Sequence, residues 1–363
     1  MEFIDLKTQQ KRIRKEIDER VKRVLDHGRY ILGPEVQELE SHLCDYLGIK
    51  HAIGVSSGTD SLLIALMALG VGPGDEVVTV PYTWISTAEV IELLGAKTVF
   101  VDIQPDSWNM DPKLLEAAIT EHTKAIMPVG IYGQTADMTS INEIALKKGG
   151  IPVIEDAAQS FGATHRGRLS GTLSSIGSTS FFPSKPLGGY GDGGALFTND
   201  DELAETMRQI RVHGQVDKHH HPILGLNGRL DSIQAAILIS KLAIFAEEVK
   251  LREEVGQRYN FMCAEIEGVT TPKIMEENTS VYAQYTILAE NRGELQAKLQ
   301  SNGIPSVSYY AVPLHLQPVF SRLNYHFGDF PVTERIARQC LSLPMSPYLT
   351  REDQEKVVSA IAA

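Results

Sequence analysis

One lysine, Lys185, has the surroundings of a chemically reactive side chain. It lies in residues 180–189 (SFFPSKPLGG), where strand-forming residues precede it and turn-forming glycines follow it. A solvated lysine has no reason to occupy such an apolar segment, so we expect a buried amine. Burial makes a lysine lose its proton more readily, and the neutral amine is a nucleophile that can form a Schiff base with an aldehyde.

A carboxylate is predicted at the end of a buried strand upstream of that lysine. Residues 152–156 (PVIED) have the pattern of a short buried strand that ends at Asp156, and α/β sheets place ligand-binding groups at such strand ends. Read alone, Asp156 could equally be an acidic helix cap. A nucleophilic lysine with an acid aimed at a pyridinium nitrogen is the pair that pyridoxal 5'-phosphate (PLP) requires, because the acid keeps that nitrogen protonated.

A glycine-containing turn supplies a candidate phosphate site. Residues 56–61 (SSGTDS) precede an apolar helix predicted over 62–69, and the free N–H groups at a helix N-terminus suit a phosphate. Gly58 allows close approach of the backbone, and Thr59 adds a hydroxyl. By itself this turn is better explained as an ordinary helix cap, but together with Lys185 and Asp156 it favours a phosphate.

Seven motifs are spread along the chain: YILGPEV at 30–36, SGTD at 57–60, EDAAQS at 155–160, SFFPSK at 180–185, GDGGA at 191–195, RLDSIQAA at 229–236 and LPM at 343–345. In these motifs the chain resembles the sugar aminotransferases of the DegT/DnrJ/EryC1/StrS family, which are fold-type I PLP enzymes. Any one motif is weak, whereas several in one order are strong. The resemblance covers almost the whole chain. It implies a large α/β domain with a mostly parallel seven-stranded sheet flanked by helices, and a smaller C-terminal α/β domain.

The resemblance assigns further cofactor contacts. It makes Lys185 the catalytic residue and implies that Ser180 gives the phosphate a second hydroxyl. Gln159 would contact the oxygen substituent of the pyridine ring from one helical turn beyond Asp156, and Trp84 would stack on the face of that ring. Without the resemblance, Gln159 is better explained as a surface residue and Trp84 as part of the core.

The resemblance also implies a homodimer whose two active sites are shared. Asn227 would reach the cofactor phosphate of a second copy, and Arg229 would lie near the anionic end of its substrate; the alternative is a plain loop that leads into a helix. Tyr30, His213 and Tyr309 complete the predicted substrate contacts. For His213 a structural role is nearly as well supported.

Within the family, the chain is most similar to members that aminate the 3-keto group of a UDP-linked 2-acetamido-hexuronic acid, on a route to O-antigen diamino sugars of lipopolysaccharide. The similarity rests on EFIDLK at 2–7, SFFPSKPL at 180–187 and SVYAQYT at 280–286. Glutamate would be the amino donor. The chain has SYY at 308–310 where that subgroup has His-Tyr-Pro, so amination of a 3- or 4-keto-6-deoxyhexose linked to dTDP or UDP is the alternative.

Two other classes of protein are disfavoured by the same residues. A PLP-dependent sugar dehydratase of this fold would have histidine at the position of Lys185. A regulatory or binding protein without catalysis is expected to have lost Lys185 or Asp156, and both are present.

Composition narrows the possible partners. The 363 residues carry a formal net charge of -12, which argues against nucleic acid because that partner needs a basic surface. The charged start of the chain and the lack of a long apolar run predict a cytoplasmic protein that does not span a membrane. Cys44, Cys263 and Cys340 are too far apart in sequence to suggest a zinc site. The histidines at 219–221 are better explained as part of a mobile loop near the substrate than as metal ligands.

The elements that must position these residues alternate along the chain. Helices are predicted over 12–25, 35–47 and 230–256, and strands over 76–80, 98–102, 125–129, 152–156, 177–182 and 194–198. This alternation is typical of a doubly wound, mostly parallel sheet. In the C-terminal part, strands are predicted over 282–289 and 306–310 and helices over 294–302 and 351–361. We therefore predict a large PLP-binding domain over 1–245 and a small domain over 246–363.

Overall fold

The computed structural model describes residues 1–362, in which helices and strands alternate. The helices are α1 Leu6–His27, α2 Pro34–Leu47, α3 Gly58–Ala68, α4 Ser86–Leu93, α5 Pro112–Ala118, α6 Met138–Lys147, α7 Asp201–Ile210, α8 Ser232–Cys263, α9 Arg292–Ser301, α10 Pro331–Gln339 and α11 Arg351–Ala362. The strands are β1 His51–Val55, β2 Glu76–Thr79, β3 Lys97–Phe100, β4 Thr123–Ile126, β5 Ile154–Asp156, β6 Thr164–His165, β7 Arg168–Leu169, β8 Ile176–Ser180, β9 Gly194–Thr198, β10 Val269–Thr270, β11 Tyr285–Ala289 and β12 Cys340–Leu343.

Two neighbouring sheets form the centre of the fold. One has the strand order β1-β9-β8-β5 and the other the order β3-β2-β4. Parallel bridges from Ile126 to Val153 and from Val129 to Asp156 join their edges at β4 and β5. All the pairings in this arrangement are parallel except those of β9 with β1 and β8. The mixed α/β class predicted from the sequence is confirmed.

Apolar strands explain why helices cover both faces of these sheets. The strands β2 and β9 are buried at every position, as expected when neither face meets water. On one face, α3 packs against β8 and β9, and Leu62, Ile64 and Leu66 contribute to a continuous apolar cluster there. A second cluster contains Val78, Ile126 and residues of α6.

A smaller unit follows the long helix α8. Its sheet has the antiparallel order β10-β11-β12, and α9 and α11 pack against each other beside it. Its core includes Val255, Tyr259, Ile287 and Leu341. Helix α8 runs without interruption through position 245, so the domain boundary that we placed there stays a prediction. No helix within residues 1–362 is both long and apolar enough to cross a membrane.

Candidate active site

Lys185 lies in the turn-rich connection between β8 and β9. The backbone is folded back on itself there, because the N–H of Lys185 donates to the carbonyl of Phe182 at 2.9 Å and the N–H of Gly189 donates to that of Phe181 at 2.7 Å. The lysine is half-buried. Loss of hydration lowers the pKa of its amine, and the carboxylate of Asp156 partly opposes that shift. The amine is therefore more nucleophilic at neutral pH than that of a solvated lysine.

Asp156 ends β5 and is almost completely buried, with 6% of its surface exposed. Its carboxylate accepts hydrogen bonds from the hydroxyl of Thr87 and from the N–H of Ala158, both at 3.1 Å. Burial raises the pKa of this carboxyl, while the N–H of Ala158, the charge of Lys185 and the Thr87 hydroxyl each lower it. Burial outweighs these three, so the pKa of Asp156 is raised overall, while the two hydrogen bonds and the neighbouring cation oppose the loss of its charge.

The predicted phosphate residues come together at the N-terminus of α3. The hydroxyl of Ser57 accepts from the N–H of Asp60 at 3.0 Å and caps the helix. A Cβ at Gly58 would lie 2.6 Å from the Cβ of Ser180, so only glycine lets this helix end approach β8. The hydroxyl of Thr59 is 2.7 Å from that of Ser86. The helix cap that we considered as the alternative is present as well, and the two roles are compatible.

Gln159 lies on a hydrogen-bonded turn after β5 rather than on the helix that we expected. The N–H of Phe161 donates to the carbonyl of Ala157, but the turn is not continued into a helix. Gln159 is buried, with 2% of its surface exposed, so the surface alternative is wrong. Its carboxamide oxygen accepts from the N–H of Tyr132 at 3.0 Å, and its nitrogen donates to the hydroxyl of Tyr310 at 2.9 Å.

Trp84 lies in the segment between β2 and α4, three residues before Thr87. Its side chain is 61% exposed, so the alternative that it belongs to the core is wrong. Thr87, in the first turn of α4, donates to the carboxylate of Asp156, so the segment leads into a helix end that contacts this carboxylate. Stacking of Trp84 on a ring stays a prediction.

The loop that carries Asn227 and Arg229 is attached to the phosphate turn of its own chain. The N–H of Ser56 donates to the carbonyl of Gly228 at 3.0 Å, and a β-bridge joins Val55 to Arg229. Asn227 is exposed and Arg229 is half-buried. The Nε of Arg229 is buried and has no hydrogen-bond partner within residues 1–362, which leaves a donor available for an anion.

The other predicted substrate contacts lie on separate surface segments. Tyr30 is 48% exposed, and its carbonyl accepts from the N–H of Ser232. His213 is exposed and has a left-handed backbone with φ 65. Tyr309 is half-buried, and its ring lies 6.3 Å from that of Phe3. Their substrate roles stay predictions.

The histidine run at 219–221 lies in an exposed loop. The Nδ1 of His221 is 2.9 Å from the carbonyl oxygen of His213, and His220 is 3.9 Å from Asp217. In the part of the chain that the structure describes, no group of three or more His, Cys, Asp or Glu side chains is arranged to hold a metal ion.

Sequence reasoning missed two residues of this site. Thr87 bonds to Asp156 and Tyr310 bonds to Gln159. A hydroxyl three positions after Trp84 carries no distinctive pattern. Tyr310 is remote in sequence from Gln159, so only the tertiary fold reveals the contact.

The residues present fit PLP. The close approach of Gly58 to Ser180 leaves backbone N–H groups and hydroxyls at one helix end, as a phosphate requires. Asp156 supplies a buried carboxylate, and Lys185 supplies an amine with a lowered pKa. These are the three kinds of group that hold this cofactor.

Comparison with known proteins points the same way. Residues 11–362 match the DegT/DnrJ/EryC1/StrS aminotransferase family. The chain is 54% identical over 361 residues to a UDP-2-acetamido-2-deoxy-3-oxo-D-glucuronate aminotransferase from Pseudomonas aeruginosa, covering 99% of each chain. It is also 48% identical over 362 residues to a protein from Geobacillus stearothermophilus named as a pleiotropic regulatory protein, covering 99% of this chain and 97% of the other.

A solved structure of Bacillus subtilis NtdA with bound cofactor PMP has a similar fold. It superposes with a TM-score of 0.90 at 31% sequence identity, over 99% of this chain and 82% of the other. The similarity therefore extends to a protein whose structure contains the aminated form of PLP.

Proposed function

Because the chain belongs to the DegT/DnrJ/EryC1/StrS aminotransferase family, we propose that it transfers the amino group of glutamate to the 3-keto group of a UDP-linked 2-acetamido-2-deoxy-hexuronic acid. The observation that carries this proposal is the 54% identity to the Pseudomonas aeruginosa enzyme over 99% of both chains. The chain is an aminotransferase, and its cofactor is PLP. Lys185 and Asp156 favour catalysis over the purely regulatory role that the name of the second relative suggests.

The side chains of the site have separate tasks. Lys185 holds the cofactor through its Nζ. When its amine is free of the cofactor, the same Nζ carries a proton. Asp156 holds the ring nitrogen in its protonated state, with help from Thr87, and Gly58, Thr59 and Ser180 bind the phosphate. When bound, PLP withdraws electrons from the bond that is broken.

The carboxylate of the proposed acceptor needs a cation in the site. The chain has a formal net charge of -12, so the overall field opposes an anionic substrate and a local partner must supply the attraction. Arg229 has a buried Nε without a partner in residues 1–362. Its planar guanidinium can pair with a carboxylate through two hydrogen bonds.

The proposed active unit is a homodimer in which Asn227 and Arg229 serve the site of the second copy. Their loop is fixed next to the phosphate turn of its own chain, and Asn227 remains exposed. An exposed residue beside the active site of its own chain can reach the active site of a second copy when the two active sites lie near the two-fold axis of the dimer. The exposed Phe182, at 52%, supplies apolar surface for such a contact.

A panel of acceptors tests the proposal. The purified protein is incubated with PLP, glutamate and one of four acceptors: a UDP-linked 3-keto uronate, its neutral counterpart with a hydroxymethyl group, and dTDP-linked 3-keto and 4-keto-6-deoxyhexoses. Mass spectrometry then follows the change from ketone to amine. We expect the highest kcat/KM with the uronate. Preference for a deoxyhexose would replace this acceptor by the alternative derived from the sequence.

A further inference from the structure

Gln159 is held from both ends of its carboxamide. Its oxygen accepts from the N–H of Tyr132 at 3.0 Å, and its nitrogen donates to the hydroxyl of Tyr310 at 2.9 Å. A flipped amide would put its NH₂ group against the N–H of Tyr132, donor against donor. The Tyr132 backbone therefore fixes which end is the nitrogen. That nitrogen has two hydrogens, and the bond to Tyr310 uses one of them.

The ring of Tyr310 is itself rigidly held. It lies edge-on to Tyr82 at 5.7 Å and is stacked with Tyr132 at 6.0 Å. The hydroxyls of Tyr82 and Tyr132 are 2.8 Å apart. These three residues, which we call the tyrosine cluster, come from distant parts of the sequence. Together they fix the position of the Tyr310 hydroxyl.

The backbone of Tyr310 is strained, with φ 61. A non-glycine residue in this left-handed region is destabilised and persists only where the surroundings enforce it. Burial raises the pKa of the Tyr310 hydroxyl, the hydrogen bond from Gln159 lowers it, and the charge of Asp156 adds to the raising. The strained residue therefore holds its buried hydroxyl against the carboxamide of Gln159.

We propose that Tyr310 is a positioning residue that acts through Gln159, by aiming the second N–H of the carboxamide at the ring oxygen of the cofactor. This inference rests on the proposed function, since it requires PLP at Lys185. Losing the Tyr310 hydroxyl leaves the amide nitrogen free to turn. The hydrogen bond from Gln159 to the anionic ring oxygen is then weaker, and this oxygen holds the neighbouring proton more tightly. The protonated form of the chromophore therefore persists to higher pH.

The experiment titrates the visible absorbance of the PLP-loaded protein. Tyr310→Phe is expected to raise the pH midpoint by about 0.5 units and to lower kcat by about threefold to tenfold, with a smaller change in KM for the sugar. Tyr285→Phe is the matched control, because it removes the hydroxyl of another buried tyrosine that bonds to a carboxamide oxygen, that of Asn260, at 2.7 Å. Its midpoint should equal that of the wild type.

A double-mutant cycle separates positioning from general damage. In a Gln159→Ala background, Tyr310→Phe should produce no further shift of the midpoint, because the residue acts only through Gln159. Equal shifts in both backgrounds, or an unchanged midpoint in Tyr310→Phe, would overturn the inference. If the wild type forms no visible chromophore with PLP, the proposed function itself fails, and that outcome is distinct from the other two.

Discussion

Lys185 and Asp156 each oppose the pKa shift that burial causes in the other. Burial lowers the pKa of Lys185 and Asp156 raises it, whereas burial raises the pKa of Asp156 and Lys185 lowers it. Burial favours the neutral form of both groups, whereas each charge stabilises the other. Asp156 also keeps two hydrogen bonds to its ionised form. The net result is an amine with a lowered pKa and a carboxyl with a raised pKa, because burial outweighs the opposing charges and hydrogen bonds. PLP needs such a nucleophilic amine, together with an acid beside its ring nitrogen.

The lowered pKa of Lys185 predicts the pH dependence of its reactivity without cofactor. An amine reacts only when neutral, so labelling of Lys185 in the cofactor-free protein should rise at a lower pH than labelling of an ordinary lysine. Trace reductive methylation followed by peptide mass spectrometry measures both. Lys15, whose side chain is 92% exposed, is the internal control. Asp156→Asn should move the Lys185 midpoint lower still, because it removes the stabilising charge. A Lys185 midpoint equal to that of Lys15 would contradict this account.

Arg229 determines the preference for an acidic acceptor in this account. Arg229→Met should lower kcat/KM for the uronate by about 30-fold, equivalent to about 2 kcal/mol, because a desolvated carboxylate loses its partner. The neutral counterpart of the same sugar is the control substrate and should lose much less. Equal losses on both substrates would mean that Arg229 organises its loop instead of binding the carboxylate.

At the scale of elements, the site is assembled where the ends of α3, β5 and β8 meet. Helix α3 approaches β8 so closely that Gly58 has no room for a side chain. The strand β5 ends in Asp156, and β8 ends in Ser180 immediately before the lysine loop. The position of the proposed phosphate site therefore depends on the packing of one helix end against one strand end.

Gly58→Ala tests that packing. The added Cβ would lie 2.6 Å from the Cβ of Ser180, so the helix end must move away, and the Kd for PLP should rise about tenfold or more, since a displacement near 1 Å breaks such contacts. Gly72→Ala is the control, because a Cβ there meets no atom within 4 Å and φ is not positive. Equilibrium titration of PLP fluorescence measures both. Unchanged affinity in Gly58→Ala would show that this helix end does not bind the phosphate.

The sequence predicts a strand well where neighbouring residues alone define it. The strands ending near Asp156 and Ser180 were predicted close to their bounds because they are short apolar runs flanked by turn residues. The strand predicted at 306–310 is wrong: the described structure has only a bridge from Val307 to Ser342 there. The left-handed backbone of Tyr310 prevents an extended conformation. The strand that pairs with β11 is β12 instead, and it was not predicted from the sequence.

Contacts between distant residues could not be predicted from the sequence alone. The bonds of Gln159 to Tyr132 and Tyr310, and of Asp156 to Thr87, join segments that meet only after folding. Gln159 also lies on a turn where a helix was expected. A spacing of three residues from Asp156 fits a single turn as well as it fits a helix. Local chemistry predicted the principal candidate residues, and the tertiary structure added the residues that contact them.

At the scale of the whole molecule, the proposed dimer makes each active site depend on two chains. Equal amounts of a Lys185→Ala protein and an Asn227→Ala/Arg229→Ala protein are unfolded, mixed and refolded. Half of the dimers should then be hybrids with one intact site each, so activity should reach about a quarter of the wild-type value. Each variant refolded alone is the control and should stay inactive. Hybrids detected by native mass spectrometry without activity would contradict the shared site.

The central claim is that this chain moves nitrogen from glutamate to a UDP-linked 3-keto uronate, with Lys185 as the catalytic residue. The most direct measurement follows ¹⁵N from labelled glutamate by mass spectrometry. We predict that the wild type places ¹⁵N in the amino sugar and releases 2-oxoglutarate in equal amount, whereas Lys185→Ala binds PLP but transfers no label above background. Label transfer by Lys185→Ala at the wild-type rate, or none by the PLP-loaded wild type, would contradict the account.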